Sequence, residues 1–200
     1  MRNGGTRVSD APSTQRTGGE RVASVNLGDA ELEAAVTRGM RRSEELLEKE
    51  LAQGEEFLVE RVSHLARAGG KRFRPMFAML SAQFGPNPQA DDVVVAATVL
   101  ELTHLATLYH DDVMDEADMR RGVESANQRW NNSVAILAGD YLFAIASRLL
   151  ARLGAETVAH FATTFGELVT GQMRESVGCP DGADEVEHYL QVIKEKTGVL

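Results

Sequence analysis

Three carboxylates, Asp111, Asp112 and Asp115, stand at positions i, i+1 and i+4 near the end of a long apolar stretch that begins at about Asp91. On a helix, i and i+4 share one face a turn apart, and i+1 is rotated by roughly 100°. Anions crowded at a helix C-terminus repel one another and face the negative end of the helix dipole. They call for cations, and two kinds fit. One is the Arg120-Arg121 pair that follows. The other is a hard metal ion such as Mg²⁺, which takes one or two carboxylates, keeps several waters, and completes its shell with phosphate oxygens. The spacing therefore points to a metal-bound anionic substrate. A plain solvated acidic helix end is the alternative when the motif is taken alone.

Other groups could serve the same anion. In Gly69-Gly70-Lys71-Arg72-Phe73-Arg74-Pro75, two glycines allow the backbone close to a ligand, and three basic side chains can point at it. A basic connecting turn with its charges in water is the competing reading. His104 precedes Asp111 by seven residues, nearly two full turns, so the two share a face. A ligand hydrogen bond and a satisfied core histidine both fit it. His110 lies about 100° from that face and reads as structural. Arg120 and Arg121 either neutralise the aspartates or clamp a diphosphate. Lys196-Thr197, followed by Gly198, says little by itself.

The elements that must position these groups read as helices. Residues 1–28 are rich in Gly, Ser, Thr and Arg without apolar periodicity and read as a flexible tail. From there the apolar spacing predicts helices over about 29–53, 55–68, 74–84, 88–117, 131–153, 156–176 and 184–198. Gly69-Gly70 and Gly85-Pro86-Asn87-Pro88 separate the early ones, with Asn87 as the cap of the fourth helix and Gly122 as its stop. Asp184 opens the last. The fourth helix is apolar on most sides, as a central helix would be. No period-2 strand is convincing, so the fold class is all-α, with residues 29–200 forming one helical unit.

Composition narrows the function. At 43% hydrophobic, 200 residues can bury a core. A net charge of −9 argues against nucleic-acid binding, which needs a basic face. It leaves room for an anionic small molecule at a local cluster of cations. The lone Cys179 cannot form an intrachain disulfide, so a reducing, cytoplasmic setting is the default. No run of 18 consecutive apolar residues occurs, so no membrane span is expected.

Taken in order, Gly69 to Pro75, Glu101-Leu102-Thr103-His104, His110 to Asp115, Arg120-Arg121-Gly122, Asn131 to Leu142 and Lys196-Thr197 resemble the trans-isoprenyl (polyprenyl) diphosphate synthase family over about residues 65–200. The wording around His104 to Arg121 is similar to actinobacterial members. The resemblance implies an all-α bundle around a central cavity. It also implies that isopentenyl diphosphate is condensed onto an allylic diphosphate with Mg²⁺ as cofactor. Lys71, Arg74, His104 and Arg121 would hold isopentenyl diphosphate. Asp111 and Asp115, supported by Asp112, would hold the metal, and Arg120, Lys196 and Thr197 the allylic diphosphate. No protein nucleophile is needed.

Small residues before the aspartates, Thr103, Ala106 and Thr107, would leave room for a medium or long product, so Ala106→Phe is expected to shorten it. The family carries a second aspartate-rich motif downstream, and none stands before Leu200. The expectation is an N-terminal portion of a synthase: a truncated product, a fragment or a split subunit. It would act as a homodimer or beside a complementary subunit. The rival role is a non-catalytic or regulatory diphosphate-binding subunit.

Overall fold

A computed structural model describes residues 27–200; the tail expected over 1–28 lies outside the described residues except for Leu27 and Gly28. The described chain is helical, in agreement with the all-α expectation: α1 (Ala30–Leu51), α2 (Glu56–Arg67), α3 (Phe73–Ala82), α4 (Asp91–Met114), α5 (Ala126–Arg129), α6 (Asn132–Leu150), α7 (Ala155–Val177) and α8 (Glu185–Ile193). A short 3₁₀ turn extends α6 over Ala151–Leu153, and a single π-turn extends α8 over Lys194–Gly198.

The central helix is α4. Its Val95, Val99, Leu102, Leu105, Ala106 and Tyr109 form one core with Ala135, Ala138, Leu142, Ile145 and Leu149 of α6 and with Leu47, Val62 and Leu65 of α1 and α2. Alanines at 135 and 138 let α6 lie close against α4. A second cluster joins Val36 and Met40 of α1, Met76 and Met79 of α3, and Val94 and Ala97 of α4. The fully buried Tyr109 ties α4 to α2. Its hydroxyl donates to the Arg61 carbonyl (2.5 Å) and accepts from the Leu65 N–H (3.3 Å), entering the backbone ladder of α2.

Among the described residues, α4 and Asn132–Leu153 are long and apolar enough to cross a membrane, with mean hydropathy 1.3 and 1.6. They pack on each other in the core, which accounts for that composition.

Two boundaries differ from expectation. Asn87 does not cap α4: residues 87–90 close their own turn, Ala90 N–H to Asn87 carbonyl at 3.1 Å, and α4 starts at Asp91. Nor does Gly122 stop it. α4 ends at Met114, and Glu116 takes the left-handed conformation (φ 49°). Ala117 N–H reaches the Asp112 carbonyl at 2.9 Å and Glu116 N–H that of Val113 at 3.4 Å. This is the Schellman pattern of a helix end, with glutamate where glycine is usual.

Gly122 serves instead in a small antiparallel hairpin that the sequence did not announce, β1 (Met119–Arg120) and β2 (Val123–Glu124). Its two-residue turn, Arg121 (φ 54°) and Gly122 (φ 79°), has both residues left-handed, as a type I′ hairpin requires. Asp29 and Asp184 cap α1 and α8 through side-chain oxygens. Asn131 caps α6, accepting from Val134 N–H at 2.9 Å.

Candidate active site

A cleft of about 660 Å³ opens between α4, the hairpin, α6, α7 and the C-terminal π-turn. From α4 come His104, Thr107, Leu108, Asp111 and Asp115; from the hairpin, Arg120; from α6, Ile136, Asp140 and Phe143. The opposite side is Phe165, Leu168, Gln172 and Met173 of α7, with Lys196 and Thr197. Cations and carboxylates gather around the end of α4, and the aromatic and aliphatic groups of α6 and α7 line the rest. Phe143 meets Phe165 edge to face at 4.6 Å and stacks on His110 at 6.2 Å.

Beside it lies a cup of about 360 Å³ lined by Gly70, Lys71, Arg72, Phe73, Arg74, Glu101, His104 and Arg121. Arg74 and His104 line both spaces, so the two adjoin. The cup's frame is a buried ion network. Arg72, in a left-handed conformation (φ 49°) at the start of α3, donates to Glu44 (2.7 and 2.8 Å), to Glu101 (2.9 Å) and to the Ala66 carbonyl (3.3 Å). Burial opposes its charge, but the two carboxylates outweigh it and hold the guanidinium above its ordinary range. Arg121 donates to the carbonyls of Leu65 (3.0 Å) and Gly69 and lies 3.7 Å from Glu101. Gly70 is needed here: a Cβ would stand 2.9 Å from the Arg121 guanidinium carbon and 3.0 Å from an Arg72 nitrogen.

The electrostatics follow from burial among like charges. His104 is pushed down to about 3, first by burial and then by Arg74, Arg121, Arg120 and Arg72. It is therefore neutral at physiological pH. Asp111 is raised by burial; Lys196 and Arg120 pull it back, while Asp115 and Asp112 add to the rise. Burial also raises Asp112, against the Arg120 bond.

Residues 55–200 match the profile of the polyprenyl synthetase family. The chain belongs to that family. The nonaprenyl diphosphate synthase of Mycobacterium tuberculosis is 58% identical over 185 residues, 92% of this chain and 55% of that protein. A dimethylallyltranstransferase of the same organism is 49% identical over 179 residues, 90% of this chain and 55% of its own. The solved geranylgeranyl pyrophosphate synthase of Corynebacterium glutamicum, complexed with calcium and isoprenyl diphosphate, superposes with a TM-score of 0.78 at 63% identity, over 87% of this chain and 53% of that one. The chain thus spans about half the length of the relatives it matches.

Within this polyprenyl synthetase chain the predicted site residues separate into groups. Asp111, Asp115, Arg120, Lys196, Thr197 and Thr107 meet at the cleft, Lys71 and Arg121 at the cup, and His104 and Arg74 at both. Asp112 turns away and is fully buried. One of its oxygens accepts from Arg120 at 2.5 Å, and the other has no hydrogen-bond partner among the described residues. Its contact with the cleft runs through Arg120. No cluster of three or more His, Cys, Asp or Glu side chains converges as a metal cage among the described residues. Of the three motif carboxylates, Asp111 and Asp115 face the cleft, which fits Mg²⁺: it needs few protein carboxylates where a diphosphate supplies the rest.

Arg72 is not left free for an anionic ligand as its place in the basic turn implied; its charge is taken up by the carboxylates of Glu44 and Glu101. Thr103 and Ala106 are fully buried, Ala106 within the α4–α6 core, and only Thr107 of the three faces the cleft. For Ala106 the rotation of α4 explains this, since 107 and 111 are a turn apart and 106 is not on that stripe.

His110, structural by its helical phase, nevertheless lines the cleft, with Nε2 3.1 Å from the Ile136 carbonyl and 3.3 Å from Asp140. A Cβ on Gly139 would come within 2.4 Å of that nitrogen. The missed α6 wall carried a faint signal: Ile136, Asp140 and Phe143 follow helical spacing.

Proposed function

We propose that this chain supplies the substrate-binding part of a trans-polyprenyl diphosphate synthase, a prenyltransferase that joins isopentenyl diphosphate to an allylic diphosphate. The observation that carries this reading is the pair of adjoining cationic spaces, of which one alone has paired carboxylates and an apolar wall. Two diphosphates can then lie side by side with different surroundings. Lys71, Arg74, His104 and Arg121 bind the diphosphate of isopentenyl diphosphate in the cup. A neutral His104 can donate one N–H there without adding charge. Arg120, Lys196 and Thr197 hold the allylic diphosphate against Asp111 and Asp115, the residues that would hold Mg²⁺.

Asp111 and Asp115 would hold Mg²⁺, which would supply positive charge to the diphosphate as a leaving group. Arg120 and Lys196 add fixed positive charge at the same leaving oxygens. Phe143, Phe165 and Leu168 exclude water from the allylic carbon, so the alkene of the second substrate is the nucleophile at hand. A proton is then lost to the released diphosphate, and no side chain need act as nucleophile. The hydrocarbon grows along the α6–α7 wall past Thr107. Its final length is not carried over from relatives, because two of comparable identity are named for nonaprenyl and geranylgeranyl products. A reducing cytoplasm suits a single, exposed, free cysteine, Cys179.

The test is incorporation of radiolabelled isopentenyl diphosphate by the 200-residue chain with Mg²⁺ and an allylic primer, beside its Asp111→Asn and Asp115→Asn variants. Weak turnover at most is expected from this chain alone, and both variants should abolish whatever turnover there is. Mg²⁺-dependent uptake of a non-hydrolysable diphosphate without turnover would support the binding-subunit role. Neither uptake nor turnover would end the proposal.

A further inference from the structure

Lys196 and Thr197 reach the cleft from a π-turn, a rare and poorly self-supporting form. Inside that turn the closing bond is Val199 N–H to the Lys194 carbonyl at 3.0 Å. What holds it is one face of α7, Gly171, Arg174 and Glu175, spaced i, i+3, i+4. Arg174 donates to both oxygens of Glu195 at 2.9 and 3.3 Å, and Glu175 pairs with the Lys196 ammonium. Gly171, about one turn before Arg174 and Glu175 on α7, faces Glu195 and Lys196 and is, with Leu168, one of the two buried residues of α7.

A Cβ at 171 would fall 2.5 Å from the Lys196 backbone nitrogen, 2.7 Å from Glu195 Cβ and 2.9 Å from the Glu195 carbonyl carbon. Two of these three atoms belong to the backbone, so no change of rotamer relieves the clash; the turn itself must move. Gly166, five residues earlier on the same helix, has nothing within 4 Å of its would-be Cβ. Glycine is thus sterically required at one of these positions and not at the other.

We propose that Gly171 is a positioning residue: its missing side chain sets how closely the backbone of Lys196 and Thr197 approaches α7, and so where they stand relative to Asp111 and Asp115. This rests on the diphosphate role proposed for Lys196. Gly171 touches no substrate; it acts through the turn.

The experiment measures Mg²⁺-dependent binding of inorganic pyrophosphate by calorimetry to the full chain and to Gly171→Ala, Gly166→Ala, Lys196→Ala and the 171/196 double variant. Hydrogen exchange over residues 194–200 is followed in parallel. Gly171→Ala is expected to weaken pyrophosphate by about tenfold, as loss of one charged hydrogen bond would, and to speed exchange in the π-turn. Gly166→Ala should do neither. The double variant should bind no worse than Lys196→Ala, because both changes remove the same contact. Additive losses, or normal binding with unchanged exchange in Gly171→Ala, would overturn the inference while leaving the site intact. If the unsubstituted chain itself takes up no pyrophosphate, the functional reading fails and the catalytic meaning of Gly171 with it. Exchange then still reports whether the glycine seats the turn.

Discussion

The two sides of the cleft are held by different means. The α4 side is tied into the core at each point that carries chemistry. Tyr109 enters the ladder of α2 two residues before Asp111. Asp112 is sealed and bonded to Arg120, and the cup behind His104 is braced by Glu44, Arg72, Glu101 and Arg121. The α7–α8 side has little of this. Leu168 and Gly171 are the buried residues of α7 and Val192 that of α8, and the ties to the Lys196 turn are ion pairs open to water. Exposed pairs contribute little because solvent screens them. The contrast teaches that the carboxylate side is preorganised, whereas the Lys196 side can adjust to what binds, at a cost in ordering.

The sharpest way to break that contrast is to open the brace. Arg72→Met leaves Glu44 and Glu101 without their shared partner, and stranding buried charge in this way costs about 3–5 kcal/mol. Chemical denaturation should report a loss of that size. Arg174→Ala, on the other side, should leave the midpoint unmoved. Equal effects would mean that the two sides are equally fixed.

Next in size is the pH response of His104. Its folded value of about 3 lies below the ordinary 6.5, because burial and four arginines oppose its charge. The unfolded chain therefore takes up this proton first as pH falls. The stability linked to His104 is complete above about pH 6.5 and drains away as pH drops toward 3. Pyrophosphate in the cup would offset the arginines and raise the histidine value, visible as a shifted imidazole titration by NMR. A titration indifferent to pyrophosphate would remove the cup as an anion site.

Tyr109→Phe should cost about 1 kcal/mol, the worth of an ordinary hydrogen bond, since the α2 ladder can partly close behind the lost hydroxyl. A much larger loss, read from the same denaturation curves, would make Tyr109 the main anchor of the α4 side.

How much of this was legible in the residues differs between the same two sides. The central helix, the paired Asp111 and Asp115, the basic turn and the cap at Asp184 follow from periodicity and side-chain chemistry, which are local. Misreadings arose where tertiary partners decide direction. Arg72 reads as a free cation until Glu44, 28 residues away in sequence, is seen to claim it. Ala106 reads as a tunnel residue until α4 is rotated against α6. His110 reads as structural until Gly139 makes room for it. The Lys196 turn was the least legible, because nothing in Lys-Thr-Gly announces a π-turn or its seat on Gly171.

The smallest effect tests where strain is kept. Arg72, Glu116 and Arg121 are the non-glycine residues with positive φ among those described, and all three flank the site on its α4 side. Two have compensation in view, since the left-handed turn is what sends Arg72 to its carboxylates and Arg121 to the cup. Glu116 has no such partner in the hydrogen bonds or ion pairs described for its side chain; it only ends α4. Glycine there keeps the Schellman bonds to Asp112 and Val113 and removes the left-handed penalty of a Cβ, of order 1 kcal/mol. Glu116→Gly should therefore raise thermal stability slightly with no change in pyrophosphate binding. If stability rises but Mg²⁺-dependent binding falls, the strained glutamate is part of how the end of α4 presents Asp115, and the rigid side of the cleft extends one residue beyond the helix.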